Sequence, residues 1–228
     1  KVKQKNIQMK KLLIVLLLIP LISIAQTKKK VKKIKVKTPT VTNVINTVDI
    51  SAGLKEALNK GVTEQVSKLT IIDGFYKNEA VKILIPEELQ RVDTTLRKLG
   101  MGSLVDDGIK SLNRAAEDAV KESTPIFVNA IKNISISDAK GILLGNESAA
   151  TSYLKDSTTK ELYAKFNPVV QESIGKVGAD VIWNSIIKKY NTIPLVNKVN
   201  PDISDYVTTK AMEGVFKMIA VEEKNIRE

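Results

Sequence analysis

The chain has 228 residues, is 43% hydrophobic and contains neither cysteine nor histidine. These absences exclude disulfides, thiolate metal sites and a histidine general base, and a zinc site would need carboxylates alone. The net charge of +11 comes from residues 1–37, which hold 12 lysines and no acid, whereas the rest of the chain has 24 basic and 25 acidic residues. A near-neutral body gives no reason to expect a nucleic-acid-binding surface.

Residues 9–25 have the pattern of a secretory signal peptide. Met9 is followed by two lysines, an apolar run over residues 12–24 and small residues that favour cleavage after Ala25. The run is shorter than the ~20 residues that span a bilayer. We therefore predict export with cleavage, the alternative being an uncleaved membrane anchor, and we interpret residues 1–8 as lying upstream of the native start.

Residues 26–48 form a lysine-rich stretch without a helical apolar face. Because its like charges repel, we predict a flexible linker. One hypothesis is that it tethers the protein to an anionic envelope surface, to which each lysine would contribute roughly 1 kcal/mol. The alternative, which the usual behaviour of charge runs favours, is a solvated spacer. The lysines concerned are Lys28, Lys29, Lys30, Lys32, Lys33, Lys35 and Lys37.

Helical spacing dominates from residue 49 onward. An apolar residue recurs every fourth position from Ile50 to Val66, which predicts a helix over residues 50–69. Asp73-Gly74 is typical of a turn, and residues 81–85 are expected to be extended or strand-like. Pro86 is a favourable first helical residue, and Gly100-Met101-Gly102 is expected to end the helix that it begins.

A second group of helices is predicted in the remainder. Residues 103–122 have a narrow alanine-rich face that also includes Leu104, and Gly145 is expected to stop a short helix. The other start signals are Thr124-Pro125, Ser137, Thr158 with Glu161, Asn167-Pro168, and Asp202 or Ser204. We predict an all-α fold, a compact bundle of about seven to nine helices in one domain over residues 49–228.

Four short segments of this body resemble an uncharacterised family of exported Gram-negative bacterial proteins, domain-of-unknown-function family 4197. The segments are SAGLKEAL at residues 51–58, LNRAAE at 112–117, DAKGIL at 138–143 and AAT at 149–151. The resemblance implies a helical fold and a periplasmic address, and it implies no particular activity. Family members usually continue beyond the position of Glu228, so we expect that this chain is truncated at its C-terminus.

No catalytic motif stands in its proper context. Ser-x-x-Lys occurs five times without the partner motifs of penicillin-recognising enzymes, as chance in a lysine-rich chain would produce. The Glu-Ser pairs at Glu122, Glu147 and Glu172 lack the glycine-rich segment that follows the acid in exported peptidoglycan-cutting enzymes. The sequence contains no phosphate-binding loop, dinucleotide fingerprint or calcium loop. We therefore expect no catalytic residue, no metal site and no cofactor.

Asn113, Arg114 and Glu117 form the most notable polar group. Arg114 and Glu117 are three residues apart on one helix and can pair beside the alanine-rich face. One interpretation is a buried arginine that orients a carboxylate ligand, so these three residues are our candidate ligand-binding set. The simpler interpretation, which we favour, is a structural ion pair with an asparagine that holds a neighbouring loop.

Three functional hypotheses follow. The leading one is a non-catalytic periplasmic domain that binds a partner protein or a small apolar or anionic ligand. The second is a carboxylate-dependent enzyme acting on cell-envelope material, which a deep cleft containing Glu117 or Glu147 would favour. The third is an envelope tether that uses the lysine-rich stretch. We expect no nucleic-acid partner and no transmembrane segment in the mature protein, although peripheral contact with an anionic surface is compatible with the sequence.

Overall fold

The computed structural model describes residues 47–228 apart from positions 88, 89, 177, 193, 196, 197, 199 and 201. This part of the chain contains eight α-helices and no β-strand, which confirms the all-α class and the predicted number of helices. The helices are α1 (Thr47–Thr70), α2 (Gln90–Lys98), α3 (Gly102–Val120), α4 (Ser123–Lys132), α5 (Ile136–Leu144), α6 (Ala149–Gly175), α7 (Ala179–Tyr190) and α8 (Ile203–Arg227).

The proposed signal peptide and residues 26–46 of the lysine-rich stretch, including all seven of its named lysines, lie outside the described residues. The last two residues of that stretch, Thr47 and Val48, belong to α1, so the predicted linker boundary at residue 48 was two residues too late. Within the described part, no helix is both long enough and apolar enough to cross a membrane.

Three long helices, α3, α6 and α8, pack on one another at the centre. Ala115, Ala116 and Ala119 of α3 are fully buried, and their small side chains permit this close approach. Helix α1 packs against α4 and α8, and its buried stripe runs from Leu58 to Leu69. Ile50 was predicted to continue this stripe inward but is 41% exposed. The core lies where these faces meet, and it includes an edge-to-face pair of phenylalanines, Phe127 and Phe216, at 5.9 Å.

Helix α3 uses a different residue from the predicted one at its first inward position. Leu104 was expected on the buried face but is exposed, and Val105 and Ile109 are buried instead. The predicted period was correct and only its phase at the helix start was wrong.

The N-cap of helix α5 lies two residues earlier than predicted. Its N-cap is Ser135, whose hydroxyl accepts from the Asp138 amide while the Asp138 carboxylate accepts from the Ser135 amide. The prediction that Ser137 is the cap was therefore wrong, because the reciprocal capping box forms only between residues three apart. Gly145 ends the helix as predicted.

Helix α6 is continuous where the sequence predicted two new starts. Thr158 is buried inside it and donates back to the Leu154 carbonyl, and Pro168 also lies within the helix. A proline inside a helix removes one backbone hydrogen bond and costs about 3 kcal/mol. Phe166 and Val170 on either side of it are fully buried, and their packing offsets that cost. The helix ends at Gly175, and Gly178, with φ of 64°, separates it from α7.

The non-helical connection between α1 and α2 crosses α3 and α8. We call residues 71–87 the α1–α2 segment. It begins with the predicted turn, in which Asp73 has φ of 71° and Gly74 lies so close to the end of α1 that a Cβ would sit 2.6 Å from the Lys68 carbonyl oxygen. From Lys82 to Pro86 the segment is non-helical and forms no strand. Glu87, directly after Pro86, is in a 3-10 turn, residues 88 and 89 lie outside the described residues, and α2 is described from Gln90, so the predicted helix start at Pro86 stays a prediction.

Candidate functional site

The carboxamide of Asn113 binds the backbone of the α1–α2 segment. Asn113 is fully buried on α3. Its Oδ1 accepts from the Ile83 amide at 2.8 Å, and its Nδ2 donates to the carbonyls of Ile83 at 2.8 Å and Ile109 at 2.7 Å. One asparagine therefore satisfies both backbone polar groups of Ile83, as a neighbouring β-strand would, and holds the segment against α3.

Glu117 holds the same segment one helical turn further along α3. Its Oε1 accepts from the amides of Phe75 at 3.1 Å and Tyr76 at 3.4 Å, and its Oε2 accepts from Arg114. The Arg114 guanidinium also binds Asp73, so it bridges the helix and the turn. The carboxylate is 3% exposed, and its charge is balanced by one adjacent cation and two backbone donors.

The ion pairs shift the pKa values of two members of this cluster. The hydrogen bond to Glu117 is the main reason that the pKa of Arg114 is raised. The hydrogen bond from Lys77 is the main reason that the pKa of Asp73 is lowered; burial, the next largest effect, opposes it, and the hydrogen bond from Arg114 adds to the lowering. Both shifts favour the charged forms of Arg114 and Asp73.

The structure brings Asn113, Arg114 and Glu117 together. We call these three side chains the brace, because they hold the α1–α2 segment against α3. The hydrogen bonds described above engage both polar atoms of the Asn113 carboxamide and both carboxylate oxygens of Glu117. Direct binding of a ligand by these three residues stays a prediction.

The side of the α1–α2 segment that faces away from α3 forms one wall of a cleft, and α8 forms the other wall. The cleft has a volume of about 530 Å³. We call it the α8 cleft. It is lined by residues 80–87 and Gln90 on one side and by Tyr206, Lys210, Glu213, Gly214 and Lys217 on the other.

The α1–α2 segment and α8 run antiparallel along this cleft, and two side-chain hydrogen bonds connect them. The Lys217 Nζ donates to the Ala80 carbonyl at 2.8 Å, and the Tyr206 hydroxyl donates to the Leu84 carbonyl at 2.7 Å. Between these points the backbone approaches closely at Gly214, where a Cβ would lie 2.7 Å from the Phe75 ring. Glycine at this position therefore lets the segment pack directly on the helix.

The charged side chains that line the cleft are three lysines and two glutamates: Lys82, Lys210, Lys217, Glu87 and Glu213. Lys210 pairs with Glu213 at 2.7 Å. Lys82 lies 4.8 Å from the centre of the Tyr76 ring and 3.9 Å from the exposed carboxylate of Glu79.

The two glutamates that were considered as catalytic candidates lie outside the α8 cleft. Neither Glu117 nor Glu147 lines the α8 cleft, and Glu147 is exposed beside the start of α6. The two glutamates that do line it are Glu87 and Glu213. Serines of three Ser-x-x-Lys matches point away from any lysine partner: Ser157 and Ser185 donate to carbonyls of their own helices and Ser173 to Asp118. Among the described residues, no three acidic side chains group as a metal site would require.

A second buried carboxylate was missed by the sequence reasoning. Glu223 of α8 is 6% exposed, and it accepts hydrogen bonds of 2.8 Å from the amides of Ala150 and Thr151 and from the Thr151 hydroxyl. Arg227 binds the same carboxylate and also the Ile142 carbonyl at the end of α5.

This arrangement caps α6 from another helix. Ser148, the N-cap residue, makes no side-chain capping bond, and Glu223 occupies that role. Burial alone would raise the pKa of Glu223, but the bonds from Ala150, Thr151 and Arg227 outweigh burial and lower it. No sequence signal pointed to this partner, because Ser148 stands at the helix start and is a residue type that favours N-caps.

Comparison with known proteins identifies one family. The family model described as "Protein of unknown function (DUF4197)" matches residues 44–228, which cover every described helix. No curated protein and no solved structure matches the chain.

Proposed function

We propose, from the premise that this chain belongs to the DUF4197 family of proteins of unknown function, that it is an exported, non-catalytic binding domain whose α8 cleft takes up a small ligand. The address rests on residues 9–25, whose charged start, short apolar run and small residues before the cleavage point are typical of secretory signals. The periplasm is therefore the proposed compartment.

The observation that carries the proposal is the composition of the α8 cleft. Its volume of about 530 Å³ falls within the roughly 300–1,000 Å³ of small-molecule sites. Leu84, Ile85 and Pro86 give it apolar surface, and a comparable polar surface comes from side chains that include Lys82, Lys217 and Tyr206. Polar groups of this kind can fix the orientation of a ligand whose apolar part covers the neighbouring side chains.

The brace from α3 supports a binding role for this wall. Residues 80–87 lack the hydrogen bonds of regular secondary structure, yet Asn113 satisfies the Ile83 backbone and Tyr206 the Leu84 carbonyl. A wall held in this way is preorganised, so less conformational entropy is lost when a ligand binds. Asn113 and Glu117 would then act on the ligand indirectly, by positioning the wall.

A binding role also fits the chemistry of the lining better than catalysis does. The sequence has no histidine and no cysteine, so proton transfer or nucleophilic attack would fall to carboxylates. Of the two in the cleft, Glu213 pairs with Lys210 at 2.7 Å, and Glu87 is exposed at the end of the segment.

The proposal is tested by native mass spectrometry of the protein purified from the periplasm. The wild type should retain a reproducible small adduct. Leu84→Trp should lose it, because Leu84 is half exposed in the cleft and the larger ring would fill the space. Leu144→Trp is the matched control, since Leu144 is also an exposed leucine but lies on α5, outside the cleft.

A bare protein mass for the wild type would contradict small-ligand binding in the cell. An adduct that survives in Leu84→Trp would contradict the α8 cleft as its site. Circular dichroism of both variants shows whether the fold is retained, so the loss of an adduct can be assigned to the cleft.

A further inference from the structure

We infer that the ligand of the α8 cleft is an amphiphile with one anionic head group and an apolar tail, and that its head lies at the Lys217 end. This inference rests on the proposed function above and specifies the class of molecule that the cleft accepts.

The two ends of the cleft differ in chemistry because the segment and the helix are antiparallel. Lys217 contacts Ala80 at one end, and Tyr206 contacts Leu84 at the other. Their separation along α8 is roughly 16 Å at 1.5 Å per residue. The cleft is therefore an elongated site, and a ligand that fills it contacts both ends.

The Ala80 end is cationic. Lys217 donates to a neutral carbonyl, and no carboxylate in the described part of the chain forms an ion pair with it. Lys82, two residues beyond Ala80, lies over the Tyr76 ring and has a long contact to Glu79, whose side chain is 87% exposed. An anion beside Lys217 would gain a charge-assisted hydrogen bond that is absent without it.

The Leu84 end offers exposed apolar surface, and Glu87, Gln90 and Tyr206 also line the cleft there. Leu84 is 53% exposed, and the neighbouring Ile85 is half-buried. Pro86 follows and has no amide hydrogen that would require a polar partner. A hydrocarbon tail here would cover leucine surface that now faces water, which is favourable in proportion to the area covered.

The carboxylate of Glu213 limits the number of negative charges that the head group can carry. Glu213 lies one helical turn from Lys217 on the same face of α8 and lines the same cleft. A second negative charge on the ligand would meet this carboxylate at short range, and like charges repel. The cleft thus favours a monoanion over a dianion.

The test uses three simple probes, each below the concentration at which it self-associates. They are decanoate, decyltrimethylammonium, which has the same tail with a cationic head, and acetate, which has the head without the tail. Binding is followed by amide chemical shifts of the purified protein at residues 80–85 and 206–217 and by calorimetry. Decanoate should bind at least tenfold more tightly than either of the others, and added salt should weaken it.

Two substitutions on α8 check the orientation. Lys217→Gln should weaken decanoate binding about tenfold, the loss expected for one charge-assisted bond. Lys224→Gln should leave binding unchanged, because Lys224 lies on the same helix outside the cleft and pairs with Glu228.

The outcomes separate this inference from the proposed function. Equal binding of the cationic and anionic probes at the cleft would leave the cleft as a ligand site and overturn the anionic class. Shifts confined to other residues, or no shifts with decanoate, would overturn the inference while the native mass measurement still decides the proposed function. Unchanged affinity in Lys217→Gln would place the head group elsewhere.

Discussion

Replacing Glu223 by glutamine should lower the free energy of unfolding by about 3 kcal/mol. The two carboxylate oxygens face different donors: Oε1 faces the Ala150 amide and Arg227, and Oε2 faces the amide and hydroxyl of Thr151. Glutamine keeps the shape but turns one oxygen into an NH2 group. In either orientation that NH2 meets a backbone N–H, so one pair of donors loses its acceptor.

The magnitude follows from the bonds that are lost. A hydrogen bond to a charged group contributes about 1.5–3 kcal/mol, and breaking one side of a buried ion pair costs about 3–5 kcal/mol. Because Arg227 is partly exposed and can bind water instead, the lower end applies. For a domain of this size, about 3 kcal/mol corresponds to a fall in Tm of roughly 6 to 12 °C.

The effect should depend on pH in one direction. The pKa of Glu223 is lowered in the folded protein from an ordinary value of about 4.5, so the ionised carboxylate stabilises the folded state relative to the unfolded state. This contribution is complete above the ordinary pKa and is lost as the pH falls through the lowered one. The stability difference between wild type and Glu223→Gln should therefore shrink as the pH is taken below about 4.5.

Urea unfolding followed by circular dichroism measures the difference, with an unchanged m-value as the sign that the unfolding transition is the same. Glu172→Gln is the control, since that side chain is 70% exposed in its pair with Lys176 and should matter little. A loss in Glu223→Gln no larger than in this control, or a difference that grows on acidification, would refute the capping role.

Three further outcomes are expected. Asn113→Leu should cost about 3 kcal/mol, because two backbone groups of Ile83 lose their partner, and hydrogen exchange should show faster exchange of the Ile83 amide while α6 stays protected. Gly214→Ala should destabilise by about 1–2 kcal/mol in the same urea assay through overpacking, whereas Gly108→Ala, which meets open space in α3, should stabilise by up to about 1 kcal/mol. The periplasmic protein should begin directly after Ala25 by intact mass, and a retained apolar run would show an uncleaved anchor instead.

The sequence predicts helices well where an apolar stripe has a clear period. The positions Leu58, Val62 and Val66 of the predicted stripe in α1 are buried. These patterns are local and need no knowledge of a partner. The cap at Asp202 was one of two predicted alternatives, and its carboxylate does accept from the first amides of α8.

Prediction fails where tertiary packing overrides local preference. Proline and a capping-box spacing both predicted breaks in α6, but Thr158, Phe166 and Val170 are buried along one continuous helix. The gain from burying that face exceeds the cost of Pro168, and the sequence around the proline does not reveal what it packs against.

The site was only partly accessible to sequence reasoning. Asn113 and Glu117 were singled out because they flank a small-residue face, yet their partners lie 30 and 42 residues earlier in a segment without regular structure. The α8 cleft is formed largely by backbone and by side chains such as Lys217 that match no motif. Contacts of this kind depend on how distant elements are placed, which local patterns do not encode.

The cap that α8 supplies to α6 also constrains the order of folding. Glu223 lies 72 residues beyond Thr151 in the chain, so the first turn of α6 leaves the ribosome long before its cap does. Until α8 docks, the amides at this helix start have only water as partners, and the turn can open and close freely. Completion of α6 is thus coupled to the arrival of the last helix, and contacts between distant parts of a chain are the ones that slow folding.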